Sequence, residues 1–392
     1  MRVATRPLPT KGHHVRVART LAAGFTGLAL LAVTPPAVMA HTSGSHEIPP
    51  ASLRALAEPI GLEIGVAVNP GGLENKRYNG IAARQFSSVT PENEMKWETV
   101  EPRRGVFDYS AGDRIVRFAQ RHDQLVRGHT LLWHNQLPAW LREGVEDGSI
   151  GNRELRSILR RHVMKTAGHF AGKVWAWDVA NEFFTDSNPS GINPDNFWVS
   201  RLGRGIIPTV FRWAHKADPD ALLFYNDYNI AGEDGTNAKA DAVYRWVKRQ
   251  LAKGVPIQGI GDQGHLDTQF GFPTRMEDNL RRYARLGLKV AITEADVRTD
   301  VKDRETQEPT DHLATLAQPF EFSEMLKACL AVRACVSFTV WGVGDAYSWV
   351  PGFSPGQGYA LIYDVNLQPK HAYTVLQEDL RLAQGAPRRT SR

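Results

Sequence analysis

Two glutamates stand at the ends of apolar runs: Glu182 after Val179-Ala180-Asn181, and Glu294 after Val290-Ala291-Ile292-Thr293. A carboxyl group in such a place is costly unless it is held in an ion pair or put to chemical use. Either glutamate alone suits both readings. The two together, on opposite sides of one strand-lined rim, suit the cleavage of a glycosidic bond. That reaction needs a protonated acid for the leaving oxygen and an ionised carboxylate on the opposite face of the sugar.

Other apolar runs end in polar groups of matching kind. They close with Glu92-Asn93-Glu94-Met95-Lys96-Trp97, His129-Thr130-Leu131-Leu132-Trp133-His134-Asn135-Gln136, Tyr225-Asn226-Asp227-Tyr228-Asn229, Asp262-Gln263-Gly264-His265 and Val340-Trp341-Gly342. Acids and amides hydrogen-bond ring hydroxyls, while indoles stack on the apolar faces of pyranoses. Singly, each has a plainer use. His265 suits a satisfied core or rim histidine, Trp133 or Trp349 suits packing, and Lys96 suits a pairing with Glu92 or Glu94. Thirteen histidines also raise the alternative of a metal-dependent hydrolase. His129 and His134 are five apart, a poor chelating spacing on a strand, so neither a metal nor another cofactor is expected.

The elements that must position these groups alternate along the chain. Runs rich in Val, Ile, Phe and Trp lie near 63–68, 86–90, 125–132, 174–181, 221–226, 257–263, 288–294 and 335–341. Helical patterns lie between them, at 111–122, 153–170, 238–252, 276–286 and 319–329. Strands alternating with helices make βαβ units and a parallel sheet. Eight units fit a single α/β domain, a closed (β/α)8 TIM barrel, whose catalytic side chains project from the C-terminal strand ends. An open nucleotide-binding sheet is the rival, but Gly71-Gly72 lacks the spacing of its glycine-rich turn.

The chain of 392 residues, 42% hydrophobic and 23% charged, has ample material for one large core. Its first 40 residues read as a cleaved secretory signal peptide: a basic leader without acids, an apolar stretch from Leu21 to Val33, then Val38-Met39-Ala40. Thirteen apolar residues fall short of the ~20 that span a bilayer. Five of the 47 basic residues lie in that leader, leaving 42 of each sign, so no nucleic-acid or membrane partner is implied. Residues 41–50 read as a flexible entry, 51–382 as the catalytic domain and 383–392 as a flexible tail. Cys329 and Cys335 are the only cysteines, and export favours a disulfide over two buried thiols.

The quoted segments, in this order and spacing, resemble glycoside hydrolase family 10 endo-β-1,4-xylanases from about residue 51 to residue 380. The resemblance implies Glu182 as general acid/base and Glu294 as nucleophile, with His265 bonding the nucleophile and Asp296 orienting His265. It places Asn181 at the 2-hydroxyl of the sugar under attack and Glu92, Asn93 and Lys96 on the floor of the next glycone subsite. His129, Trp133 and Gln136 stand beside them, Gln263 joins the substrate-binding set, and Trp341 and Trp349 wall the site. The sequence departs from the family pattern at Ala180, at Phe184, at Asp262 before Gln263, and in the polar stretch Thr299 to His312.

The expectation is therefore a secreted, monomeric, retaining endo-β-1,4-xylanase acting on xylan by double displacement through a covalent glycosyl-enzyme. The alternatives are a mixed-specificity β-1,4-glucanase/xylanase and a non-catalytic sugar-binding barrel. The second would be marked by loss of one carboxylate, and both are present.

Overall fold

The computed structural model describes residues 48–233 and 235–389. The signal peptide and most of the entry segment fall outside the described residues. Eight parallel strands form the centre: β1 (Glu63–Val68), β2 (Ser88–Pro91), β3 (Leu125–His129), β4 (Ala176–Asn181), β5 (Leu222–Asp227), β6 (Gly259–Asp262), β7 (Lys289–Asp300) and β8 (Cys335–Val340). Each pairs with the next, and β8 returns to β1 with Glu63 opposite Ser337, which closes the barrel. After the strands come α1 (Lys76–Gln85), α2 (Ser110–Arg121), α3 (Asn152–His169), α4 (Ile206–Ala217), α5 (Ala238–Ala252), α6 (Met276–Ala284), α7 (Ala314–Ala331) and α8 (His371–Leu382). The (β/α)8 reading of the sequence therefore holds.

Helix α2 shows why these segments fold as they do. Ile115, Phe118 and Ala119 recur at helical spacing and are buried, while Arg114, Arg117 and Arg121 face water. Burying each large apolar side chain contributes about 1.5–3 kcal/mol. Along β4 the alternation sends Trp177 outward under the helices and Asp178 into the barrel. Inside, Arg127 meets Asp178 through Nε at 3.1 Å, and its guanidinium lies 4.4 Å over the Phe224 ring. Strand β6 must carry glycine there: a Cβ at Gly259 would collide with Phe224, and one at Gly261 with Asn226.

The structure departs from the sequence reading at three places. Strand β7 runs on to Asp300 because Gln357–Gly358 pairs with it antiparallel, so the polar stretch from Thr299 begins as strand. Helix α7 starts before Pro319 instead of at it. The tail is not loose as far as Arg389: this residue is buried, and its N–H donates to Ile60 O at 2.8 Å. Its guanidinium also caps Leu330 O, a carbonyl near the end of α7, and so gains a partner that a frayed tail would lack. Cys329 and Cys335 form the expected disulfide, joining the end of α7 to the start of β8.

Candidate active site

Both glutamates project from the C-terminal mouth of the barrel, past irregularities that re-aim the chain. The β4–β5 register slips between Asp178 and Ala180, and the β7–β8 register slips between Ile292 and Ala295. Such bulges turn side chains away from the regular pleat beside active sites. Glu182 takes φ 58°, a left-handed conformation that costs a non-glycine residue of order 1–3 kcal/mol. Its N–H donates to Asn226 O at 3.0 Å, which holds that conformation in place.

The two carboxylates live in different surroundings. Glu182 is half-buried and accepts from Trp133 Nε1 at 2.7 Å and from Gln263 Nε2 at 2.9 Å. Glu294 is buried, accepts from Asn226 Nδ2 at 2.7 Å and lies 3.4 Å from His265 Nε2. Burial alone would push Glu294 up, but the His129 and His265 imidazoles outweigh it and hold the carboxyl below the ordinary glutamate range. Burial likewise works against charge on His265. Asp296, with Nδ1 3.0 Å from its Oδ1, and Glu294 prevail and carry the imidazole up to about 10. Trp349 Nε1 in turn donates to Asp296 Oδ2 at 2.7 Å, so Asp296 is fixed from both sides.

A chain of amides joins the two glutamates. Asn226 Nδ2 donates to Glu294 and, at 2.9 Å, to Asn181 Oδ1. Gln263 Nε2 donates to Glu182 and, at 3.3 Å, to the same Asn181 oxygen. Because the ionised Glu294 only accepts, it fixes which way Asn226 points, and through Asn226 the oxygen of Asn181 and the Nε2 of Gln263. Among the described residues the Asn181 Nδ2 then has no protein partner, and it is available to a sugar hydroxyl.

On the β2 and β3 side the structure gathers the remaining expected residues. Lys96 is buried, donates to Asn93 Oδ1 at 3.0 Å and stands 4.9 Å over the Trp133 ring, rather than pairing with Glu92 or Glu94. Burial pulls Lys96 below its usual value, against the attraction of Glu294, Glu182 and Glu92. Glu92 takes both oxygens to Asn69 Nδ2 at 3.2 Å, and burial pushes it up to about 7. Gln136 is tied to Asn93 at 3.1 Å and to Glu98 at 2.9 Å. His129 Nδ1 meets Asp178 at 3.0 Å, and Trp341 packs edge-on against the His129 ring at 5.2 Å. The carbonyl of Trp133 accepts from Trp198 Nε1 at 2.7 Å, which anchors its segment.

Asn226 stands in one of the polar strand ends read from the sequence but had no role assigned there, and Asp178 and Arg127 had none either. Asn226 was signalled by its place, since it ends β5 as Asn181 ends β4. Asp178 and Arg127 gave no such sign, because only their pairing inside the barrel reveals them. Asp262, noted as a departure, is buried with neither oxygen supplied with a donor; it faces Glu233 from the segment after β5. Burial first, then Glu233, push the Asp262 carboxyl well above its ordinary value. No group of three or more His, Cys, Asp or Glu among the described residues is arranged to hold a metal ion.

Residues 52–379 match the profile of glycosyl hydrolase family 10. The endo-1,4-beta-xylanase B of Thermotoga neapolitana is 40% identical over 338 residues, covering 86% of this chain and 92% of that protein. The beta-1,4-xylanase of Dictyoglomus thermophilum is also 40% identical, with 79% and 86% covered. Among solved structures, xylanase 10B from Thermotoga petrophila RKU-1 in complex with xylobiose superposes with a TM-score of 0.77. It is 37% identical, and the match covers 84% of this chain and 97% of that one.

Proposed function

The chain belongs to glycosyl hydrolase family 10 and is an endo-1,4-β-xylanase; from that premise we propose that Glu294 is its nucleophile and Glu182 its acid/base, in a retaining double displacement on xylan. The observation that carries this reading is the contrast between the two carboxylates. Glu294 is buried, held low and pinned by Asn226 beside an imidazolium, as a nucleophile that must stay ionised requires. Glu182 is reachable from solvent and turned by Trp133 and Gln263, as a group that must exchange protons with water requires.

In the first step Glu294 attacks the anomeric carbon while Glu182 gives its proton to the departing glycosidic oxygen. The bond to the leaving chain breaks as the ester to Glu294 forms. The leaving chain diffuses away, and water enters. Glu182, now a carboxylate, takes a proton from that water, whose oxygen attacks the anomeric carbon and frees Glu294. The Asn181 amide donates to the 2-hydroxyl, a contact that strengthens as charge develops on the ring. His265 keeps Glu294 ionised in the resting state.

The role assignment is tested by two substitutions. Glu294→Ala is expected to abolish turnover on every substrate. Glu182→Ala is expected to lower xylan hydrolysis by about 10²–10⁴-fold yet still accept aryl glycosides with good leaving groups. Azide should accelerate this second variant and give a β-glycosyl azide. Exchanged phenotypes would mean exchanged roles, and an α-anomer as first product of the wild type, seen by NMR, would rule out retention. The leader supports export, and the same reading has the enzyme working as a monomer on a neutral polysaccharide outside the cell.

A further inference from the structure

Charge is spread unevenly over the outer wall of the barrel. Residues 197–217, which end with α4, carry four Lys or Arg and no Asp or Glu. Residues 242–254, which close α5, carry another four and again no acid. The chain beyond the leader holds 42 charges of each sign, so a face this long without a carboxylate is a segregation of charge. All eight side chains are exposed, and among the described residues none pairs with a carboxylate. Asp241, the one acid of α5, is taken by Arg282 of α6.

Three of these cations converge. Arg204, ahead of α4, and Arg245 and Arg249 of α5 line a hollow of about 210 Å³ into which no carboxylate faces. Phe184, Ile192 and Trp246 form its apolar wall, the first two drawn together by the bridge between them. Phe184 is one of the departures from the family pattern and lies two residues beyond Glu182. Arg245 and Arg249 stand at i, i+4 on α5, where like charges repel. The C-terminal end of a helix favours a cation, but that does not draw in Arg204 from another element. Guanidinium groups gathered round one hollow repel one another until an anion enters it.

We propose that this hollow is a second sugar site, apart from the two glutamates, that holds a hexuronate branch of an acidic xylan. The carboxylate lies against Arg204, Arg245 and Arg249, and the pyranose against Phe184 and Trp246. A guanidinium matches a carboxylate through two parallel N–H groups. A bare phosphate would leave the apolar wall unused, and a neutral xylose would leave the arginines unpaired, whereas a sugar acid meets both. Arg212 and Lys248 widen the positive field that gathers such a polymer. The inference rests on the xylanase reading given above and deepens it: the backbone in the cleft is neutral, and its acidic branches are held on the flank.

The test uses Glu294→Ala protein, which leaves the polymer intact, run in native gels cast with glucuronic acid-branched xylan or with a neutral arabinoxylan. Adding Arg245→Gln and Arg249→Gln is expected to weaken binding to the branched xylan about ten-fold and to leave retardation by arabinoxylan within about two-fold. Both positions are exposed and glutamine is a good helix former, so the fold is not at risk. Lysine at the same two positions keeps the charge but loses the paired N–H groups, and should still cost about three-fold or more. Branched-xylan binding within about two-fold of the parent in the glutamine variant overturns the proposal. So does an equal loss on arabinoxylan, which would put the neutral backbone in the hollow. A lysine variant that binds as the parent does would leave only a diffuse field, and overturns it as well. Tighter binding of a DNA duplex than of branched xylan, lost with the same arginines, would make the partner a nucleic acid instead. If the wild type releases sugar from neither xylan, the xylanase reading falls, and the gels, which need no turnover, still decide the site.

Discussion

His265 separates the duties of the two glutamates, because its charge is shared with Glu294 and Asp296 and not with Glu182. Replacing it by glutamine removes one of the two imidazoles that offset burial at Glu294, the other being His129, so the Glu294 carboxyl should rise. A depressed acid is ionised at lower pH, and a released one is not. His265→Gln should therefore move the acid limb of the kcat/KM profile upward and cost most at low pH. An acid limb left in place would mean that His265 only packs. Discrimination between xylose and glucose also rests on single side chains. We expect Gln136 and Trp349 to crowd the place of a glucose hydroxymethyl group: Gln136 is bonded to Asn93 and Glu98, and Trp349 to Asp296, which holds both side chains in place. Gln136→Ala and Trp349→Phe should raise activity on aryl cellobioside relative to aryl xylobioside by roughly ten-fold, since steric exclusion of a small group is worth about 1–3 kcal/mol. Equal ratios in wild type and both variants would dismiss exclusion as the cause.

At the scale of elements, the pair Asp262–Glu233 ties the end of β6 to the segment after β5, with Asp227, Lys239 and Tyr283 also facing Asp262. A buried carboxyl with a raised folded pKa binds its proton more tightly folded than unfolded, where the value is about 3.9. Its contribution is intact below that value and is lost as pH rises from there toward the folded pKa. Asp262→Asn should thus leave the melting temperature at pH 4 nearly unchanged and raise it at pH 8 by about 2–4 °C. Equal shifts at both pH values would show that the proton is not the cause. The same pair marks the limit of what the sequence discloses. Strands β1 to β8 were legible because apolar runs bounded by polar residues reflect local geometry, and β1 was read at its observed bounds. The beginning of α7 was not, since Pro319 signals a helix start and here sits inside one. Asp262 stood out as an oddity, but its partner comes from another loop, and no spacing rule connects them. The amide chain through Asn226 was hidden for the same reason.

Export by the leader should yield a chain starting at His41, which N-terminal sequencing of protein from the culture supernatant would check; an intact Met1 there would refute cleavage. Ile48 and Arg389 line one hollow with Glu63 and Leu125, where the strands begin, while Glu182 and Glu294 stand where strands finish. Both ends of the described fold thus leave from the floor, and the cleft opens at the ceiling. An enzyme fixed to a bead through a handle at either end would hold its cleft away from the support. Immobilisation through either end should therefore leave long chains as free to enter as in solution.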